Sequence, residues 1–203
     1  MLLDKNLKID NNDIHCGYFT ASVNNPINTK YKMRVSHNND SVTYDLNNTG
    51  LLEKFPLQFG CGEYLIQLYK NISGKKYSLD GSIMIQASFE YFQPFLHSNQ
   101  YVNYDKNNDI IEAAQRFKPI STPDMIVDYM TKYYSYDYVS AILYKNRLPD
   151  ILTCYYKKMG TCQDLSALLV SLMRLNDIPA KLIIGYYGSQ YHAWSEVYNG
   201  VNW

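Results

Sequence analysis

A chain of 203 residues is long enough for two small domains, each with its own hydrophobic core. Its 19 basic and 19 acidic residues give a net charge of zero and form no basic block, which argues against nucleic acid as a partner. No apolar run approaches the roughly 18 residues that a membrane span needs, so no membrane-spanning segment is predicted.

The amino-terminal part of the chain has the pattern of an antiparallel β-sheet protein. Short runs rich in aromatic and β-branched residues alternate with turn clusters. Strands are predicted at 17–23, 31–37, 41–46, 63–70 and 75–89. Five short strands at this spacing predict an antiparallel β-sandwich of immunoglobulin type over residues 1–92.

The pattern changes to helices after a predicted linker at 93–106. Helices are predicted at 107–118, at 120–134 with Ser121 as N-cap, and at 149–157. The second domain is therefore expected to span residues 107–203.

The most informative helix begins at the segment "GTCQDLSALLVSLMRLNDIP", residues 160–179. Thr161 is a good N-cap, and one apolar stripe follows at positions 165, 168, 169, 172 and 173. Cys162 lies off this stripe in the first turn, where free backbone N–H groups and the helix dipole favour an anion. A thiol in that position is a candidate nucleophile. The alternative, a cysteine that acts as a small buried hydrophobe, stays open.

Two strands are predicted after this helix, "KLIIGYY" at 181–187 and "YHAWSEVY" at 191–198. His192, Trp194 and Glu196 alternate with smaller residues and should share one face of the second strand. A histidine on a strand beside the Cys162 helix is a candidate general base. A half-buried histidine with only a structural role is the alternative.

These two segments together resemble the transglutaminase-like superfamily of papain-like cysteine enzymes. The shared features are a Gly-x-Cys at a helix start, a turn before a strand that contains Gly, and then "HAWSEV". The resemblance covers residues 109–203, and Asn176-Asp177 departs from it where the family often has Gly. It implies an α+β domain with the Cys helix packed on an antiparallel sheet, Cys162 as the nucleophile and His192 as the base. The preceding "FPLQFGCGEYLIQLYKNISG" resembles the sandwich module that precedes this domain in bacterial proteins.

The resemblance implies thiol-dependent acyl transfer on protein or peptide amides, with peptide-bond hydrolysis as the expected reaction. A cross-linking transglutaminase and an inactive binding module are the alternatives. The expected substrates are proteins or peptides, cell-wall peptides included, and no metal or cofactor is required. An extracellular or cell-surface location is expected by resemblance. A disulfide between Cys16 and Cys61 would support that location.

The family also uses an acidic residue after the histidine, and no Asp or Glu follows Glu196. Asn199-Gly200 predicts a type I′ hairpin, in whose register position 207 would lie opposite His192. Because the chain ends at Trp203, we expect a domain truncated at its carboxyl end. Two other residues are alternatives for the orienting role: Glu196, at a distance that is long for a hydrogen bond, and Asn202.

Overall fold

The computed structural model describes residues 2–4, 7–23, 29–47, 49–119, 121–143 and 147–203. The chain divides into two compact units, Met1–Pro94 and Phe95–Trp203. Within the described ranges, no helix is long and apolar enough to cross a membrane. The chain is thus a mixed α+β protein: in the described residues, the first unit is built mainly of strands, and the second holds the α-helices together with four further strands.

The first unit consists of two four-stranded antiparallel sheets, one in the order β1-β2-β3-β6 and the other in the order β5-β4-β7-β8. The strands are β1 (Leu2–Asp4), β2 (Leu7–Asp10), β3 (Tyr18–Val23), β4 (Tyr31–His37), β5 (Asp40–Asp45), β6 (Glu53–Pro56), β7 (Gly62–Ser73) and β8 (Lys76–Ala87). Short 3₁₀ turns lie at Ile14–Cys16 and Gln93–Phe95.

Aromatic rings join the two sheets of this unit. Phe55 of β6 stacks on Phe19 of β3, and Tyr44 of β5 meets Phe55 edge-on with 5.2 Å between ring centroids. All three side chains are buried, so the two sheets share one core and the predicted antiparallel sandwich is confirmed. The immunoglobulin type of that sandwich stays a prediction.

Tyr64, near the start of β7, ties the preceding corner to the core. Its hydroxyl donates to the Gly60 carbonyl oxygen at 2.8 Å and accepts the Phe59 N–H at 3.0 Å. Burial raises the pKa of Tyr64 to about 12. A tyrosine that returns a hydrogen bond to the backbone a few residues upstream is typical of Greek-key sandwiches.

All four cysteines are free thiols, so the Cys16–Cys61 disulfide is not formed. The Cys61 sulfur instead lies against the backbone of Phe89, donating to its carbonyl oxygen at 3.1 Å and accepting its N–H at 3.3 Å.

The second unit holds the remaining elements around one long helix. They are α1 (Asn108–Gln115), α2 (Pro123–Tyr133), β9 (Ser135–Tyr136), α3 (Tyr138–Leu143), α4 (Ile151–Lys157), β10 (Met159–Gly160), α5 (Cys162–Arg174), β11 (Ala180–Tyr187) and β12 (Gln190–Val197). β11 and β12 form an antiparallel hairpin, and β9 pairs in parallel with β10.

In the second unit, four helices match the predictions, and three short elements were not predicted: α3, β9 and β10. In the first unit, the strands β1, β2 and β6 were not predicted. The N-cap of α2 is Thr122 rather than Ser121, because the Thr122 hydroxyl accepts the Met125 N–H. Position 120, in the predicted helix 120–134, lies outside the described residues.

Helix α5 is buried on more than the predicted stripe. Val170, Ser171 and Arg174 are also inaccessible to solvent, because other elements surround the helix. Val102 and Tyr104 belong to this same core, so the segment 93–106 that was expected to link two domains contributes to the packing of the second unit. The Cys helix thus packs against the antiparallel β11-β12 hairpin and against helices α1, α2 and α4.

The first turn of α5 is fixed by a buried carboxylate, Asp164, whose side chain is 4% exposed. Five donors surround its two oxygens. Arg147 donates to both of them at 2.7 and 2.5 Å, and the Asp150 N–H donates at 2.8 Å. The Thr161 N–H and hydroxyl donate at 3.0 and 2.8 Å. Asp164 therefore links the segment before α4 to the residue that precedes Cys162.

Two opposing effects set the pKa of Asp164. Burial by itself raises this pKa, but the hydrogen bonds from Arg147, the Asp150 N–H and Thr161 outweigh burial and hold it below the ordinary value. The hydrogen bond to Asp164 correspondingly raises the pKa of Arg147. The carboxylate thus stabilises the folded state above its unfolded pKa of about 4, and this contribution is lost as the pH falls through the folded pKa.

Replacing Asp164 with Asn should lower the free energy of unfolding at pH 7 by about 3 kcal/mol, because one partner of a buried ion pair is removed. The difference from wild type should shrink as the pH falls below about 4. Urea unfolding followed by tryptophan fluorescence measures this unit selectively, since both tryptophans, Trp194 and Trp203, belong to it.

The matched control is Asp177→Asn, the same chemical change in an exposed pair with Lys118 at 3.9 Å. We expect this substitution to change the free energy of unfolding by less than about 0.5 kcal/mol. Equal effects of the two substitutions would contradict a stabilising role for the Asp164 cluster.

Candidate active site

Cys162 is the first residue of α5 and is partly buried. Its position in the first turn, with Thr161 as N-cap, matches the sequence prediction. The N–H groups of this turn have no partner within the helix, so they can accept an anion beside the thiol.

Gly160 lies two residues before Cys162, at a position where close packing leaves no room for a side chain. A Cβ at this position would lie 2.8 Å from Asp164 Cβ and 2.8 Å from Cys154 Sγ. Both neighbours are buried, and no side chain fits between them. The Gly-x-Cys pattern thus reflects how tightly the start of α5 packs against α4.

His192 lies on β12, where its cross-strand partner is Gly185 of β11. Ala193 is buried, and Val197 packs on the core that contains α5, so the odd-numbered residues of β12 face the helix. His192, Trp194 and Glu196 share the opposite face, as the alternation predicted. His192 is exposed, and its glycine partner contributes no side chain that would cover the ring.

Side-chain hydrogen bonds hold β12 alongside the first two turns of α5. Gln163 Nε2 lies 3.4 Å from the Tyr191 hydroxyl, and the Ser166 hydroxyl donates to the Ala193 carbonyl oxygen at 3.3 Å. The Ser195 hydroxyl donates to the Ser166 carbonyl oxygen at 3.4 Å. Helix and strand therefore run in the same direction, and the residues next to Cys162 and His192 are in contact.

Gln163 and Tyr191, the residues next to Cys162 and His192, are in contact, but the side chains of Cys162 and His192 are not. Among the described residues, no hydrogen bond or ion pair joins the Cys162 thiol to the His192 imidazole. The structure places Cys162 at the helix start and His192 on the adjoining strand, and their pairing stays a prediction.

Tyr136 is a site residue that the sequence did not reveal. The parallel pairing of β9 with β10 places Tyr136 beside Gly160, and the Asp137 N–H donates to the Gly160 carbonyl oxygen at 2.9 Å. The Tyr136 phenol lies near enough to Cys162 for the thiol and the backbone N–H of that residue to affect its pKa. Burial, followed by the charge and side-chain hydrogen bond of Cys162, raises the pKa of Tyr136. The sequence gives only a weak signal for β9 and β10, because each strand has only two residues.

A pocket of about 230 Å³ lies next to Tyr136, between α2, β9 and α5. Its lining is mostly apolar and includes Met130, Tyr134, Tyr136, Leu165, Ser166 and Leu169. Leu165 and Leu169 were assigned to the buried stripe of α5, but both remain partly exposed because they line this pocket.

The predicted type I′ hairpin at Asn199-Gly200 is not formed. β12 ends at Val197, and the Asn199 side chain accepts the N–H groups of Val201 and Asn202 at 2.9 and 2.8 Å. The Asn199 N–H donates to the Asn202 carbonyl oxygen, one position away from the predicted register. Because the Asn199 side chain closes this turn, the register counted from a type I′ hairpin does not apply.

Neither alternative residue reaches His192 among the described contacts. Glu196 is four residues along β12, a separation of about 13 Å, and its charge acts on its cross-strand partner Lys181. Asn202 contributes backbone groups to the turn at Asn199. In the part of the chain that the structure describes, no three His, Cys, Asp or Glu side chains converge as metal ligands would.

Comparison with known proteins identifies the second unit. Residues 108–203 match the model of the transglutaminase-like superfamily. A solved structure from Cytophaga hutchinsonii, provisionally named a cysteine protease, is similar with 16% identity and a TM-score of 0.48. That alignment covers 92% of this chain and 76% of the other. No curated protein matches. Through residues 108–203, the chain carries a domain of the transglutaminase-like superfamily.

Proposed function

We propose that this protein is a thiol-dependent enzyme that hydrolyses peptide bonds, with Cys162 as nucleophile and His192 as general base. The observation that carries the proposal is the position of Cys162 in the first turn of α5, where Gln163 meets Tyr191 of the strand that bears His192. The superfamily supports thiol-dependent chemistry of the peptidase or transglutaminase kind.

In the first half of the reaction, the Cys162 sulfur attacks the amide carbonyl carbon while the thiol proton passes to the His192 imidazole. The carbonyl oxygen becomes an oxyanion. His192 then gives its proton to the amide nitrogen, the C–N bond breaks, and the amine leaves. The acyl group remains on Cys162 as a thioester.

In the second half, water attacks the thioester and gives a proton to His192. The S–C bond breaks, a carboxylic acid leaves, and the proton returns to sulfur. A lysine amine in place of water would form a new amide, which is the cross-linking alternative.

Two donors beside the thiol are suited to the oxyanion. One is the backbone N–H of Cys162, and the other is the hydroxyl of Tyr136, which lies against both the thiol and that N–H. Because burial and Cys162 raise the pKa of Tyr136, its hydroxyl stays protonated at neutral pH and can donate.

One observation favours a second candidate function, a non-catalytic binding module. His192 is exposed on the face of β12 opposite the one that packs on α5, and no described carboxylate or amide side chain hydrogen-bonds to its ring. An imidazole without an orienting partner is not held in the tautomer and orientation that proton transfer from the thiol requires. Alkylation of Cys162 distinguishes this candidate from the enzyme.

Iodoacetamide should alkylate Cys162 faster at pH 7 than it alkylates Cys61, although Cys61 is the more exposed thiol. The reason is that His192 removes the Cys162 proton and the helix start stabilises the resulting anion. Peptide mapping by mass spectrometry measures all four cysteines in one sample.

His192→Ala should remove this excess reactivity, whereas His15→Ala, at another exposed histidine, should leave it unchanged. If Cys162 reacts no faster than Cys61, and His192→Ala has no effect, the binding module is the better account.

With dimethylcasein and dansylcadaverine together, we expect soluble peptides to be released and little dansyl label to enter the protein. Water is then the acyl acceptor, and Cys162→Ala should abolish peptide release. Fluorescence of the precipitated protein and absorbance of the supernatant measure the two outcomes. Incorporation of label without peptide release would support the cross-linking alternative.

Tyr136→Phe should lower kcat for peptide release by about 10²-fold and change KM little, because an oxyanion donor acts mainly in the transition state. Tyr138→Phe is the matched control. Its ring contacts that of Tyr136 at 4.8 Å between centroids, but its side chain is 74% exposed. Equal losses in both variants would exclude a specific role for the Tyr136 hydroxyl.

A further inference from the structure

The apolar pocket beside Tyr136 has the size of a single side-chain subsite. Its volume of about 230 Å³ is below the roughly 300–1,000 Å³ of pockets that enclose whole small ligands. Met130, Leu165 and Leu169 supply most of its apolar character. The two leucines are only partly buried, so the pocket leaves apolar surface of α5 uncovered.

The pocket lies on the same side of α5 as Cys162, so the cysteine is in line with positions 165 and 169 and not off their stripe, where the sequence pattern had placed it. Leu165, Ser166 and Leu169 follow the cysteine by three, four and seven residues, the spacing of one helix face. The nearest of them, Leu165, is three residues from Cys162, about 4.5 Å along the helix axis. Tyr136 contacts Cys162 and also lines the pocket, so the pocket wall and the thiol are neighbours.

This separation matches the geometry of an extended peptide. Such a chain rises about 3.3 Å per residue. When its scissile amide lies at the Cys162 sulfur, a side chain one or two residues away reaches the level of Leu165.

We propose that the pocket between α2, β9 and α5 binds an apolar side chain of the substrate, one or two residues from the scissile amide. It would thereby select peptides with a branched aliphatic or aromatic residue at that position. The proposal rests on the proposed function, because it requires an amide held at Cys162.

Three alkylating compounds test the pocket separately from hydrolysis. They are iodoacetamide, N-(2-phenylethyl)iodoacetamide and N-(2-hydroxyethyl)iodoacetamide. In each reaction the Cys162 sulfur forms a bond to the methylene carbon, iodide leaves, and the thiol proton is lost to a base. The phenyl group should raise the rate at Cys162 about tenfold relative to iodoacetamide, because its ring leaves water for the pocket. The hydroxyethyl group should give no increase.

Cys61, an exposed thiol, supplies the reference within the same sample, and its rate ratio should stay near one. Thr131→Trp places a large ring at the pocket edge from an exposed position on α2, and should remove the preference for the phenyl compound. Lys132→Trp adds the same ring at the next exposed position of the helix, outside the pocket lining, and should keep the preference. Thermal unfolding by circular dichroism confirms that each variant is folded.

A phenyl preference at Cys162 that disappears only in folded Thr131→Trp supports the subsite. Equal rate ratios at Cys162 and Cys61, or a preference that survives Thr131→Trp, overturn it. Failure of the proposed function appears differently: Cys162 then shows no excess reactivity towards iodoacetamide itself.

Discussion

The second unit depends on the buried carboxylate of Asp164. A charge removed from water is costly unless donors surround it, and here Arg147, Thr161 and the Asp150 N–H supply five hydrogen bonds. These donors come from segments on both sides of α4. The first turn of α5, with Cys162 in it, is therefore held in one position by the requirement to satisfy a single side chain.

Close packing around Gly160 also constrains the position of the segments beside Cys162. Gly160 has no room for a Cβ, so β10 passes tightly between α4 and α5 and brings β9 with it. This pairing places Tyr136 against Cys162. At the other end of α5, Arg174 donates to the carbonyl oxygens of Ala180 and His97, so that both ends of the helix are fixed by buried hydrogen bonds. The thiol and the adjoining pocket thus lie on a helix that is held at both ends.

Much of the fold was predictable because local patterns carry it. Runs of aromatic and β-branched residues predicted five of the eight strands described in the sandwich, all except β1, β2 and β6. The N-cap Thr161 with its apolar periodicity predicted α5. The turn at Asn199 was predicted wrongly, because the side chain of the asparagine closes the turn that its backbone was expected to close. Tyr136 could not be predicted, since a two-residue parallel pair has no periodicity of its own.

By itself, the sequence determined the candidate residues: a cysteine at a helix start and a histidine on the following hairpin, in a pattern that resembles the transglutaminase-like superfamily. Such features depend on residues close together in the chain. Only the tertiary structure decided what surrounds them: the five donors to Asp164, the phenol of Tyr136 beside the thiol, and the apolar pocket along α5. These contacts join segments far apart in the chain, and packing in three dimensions alone brings them together.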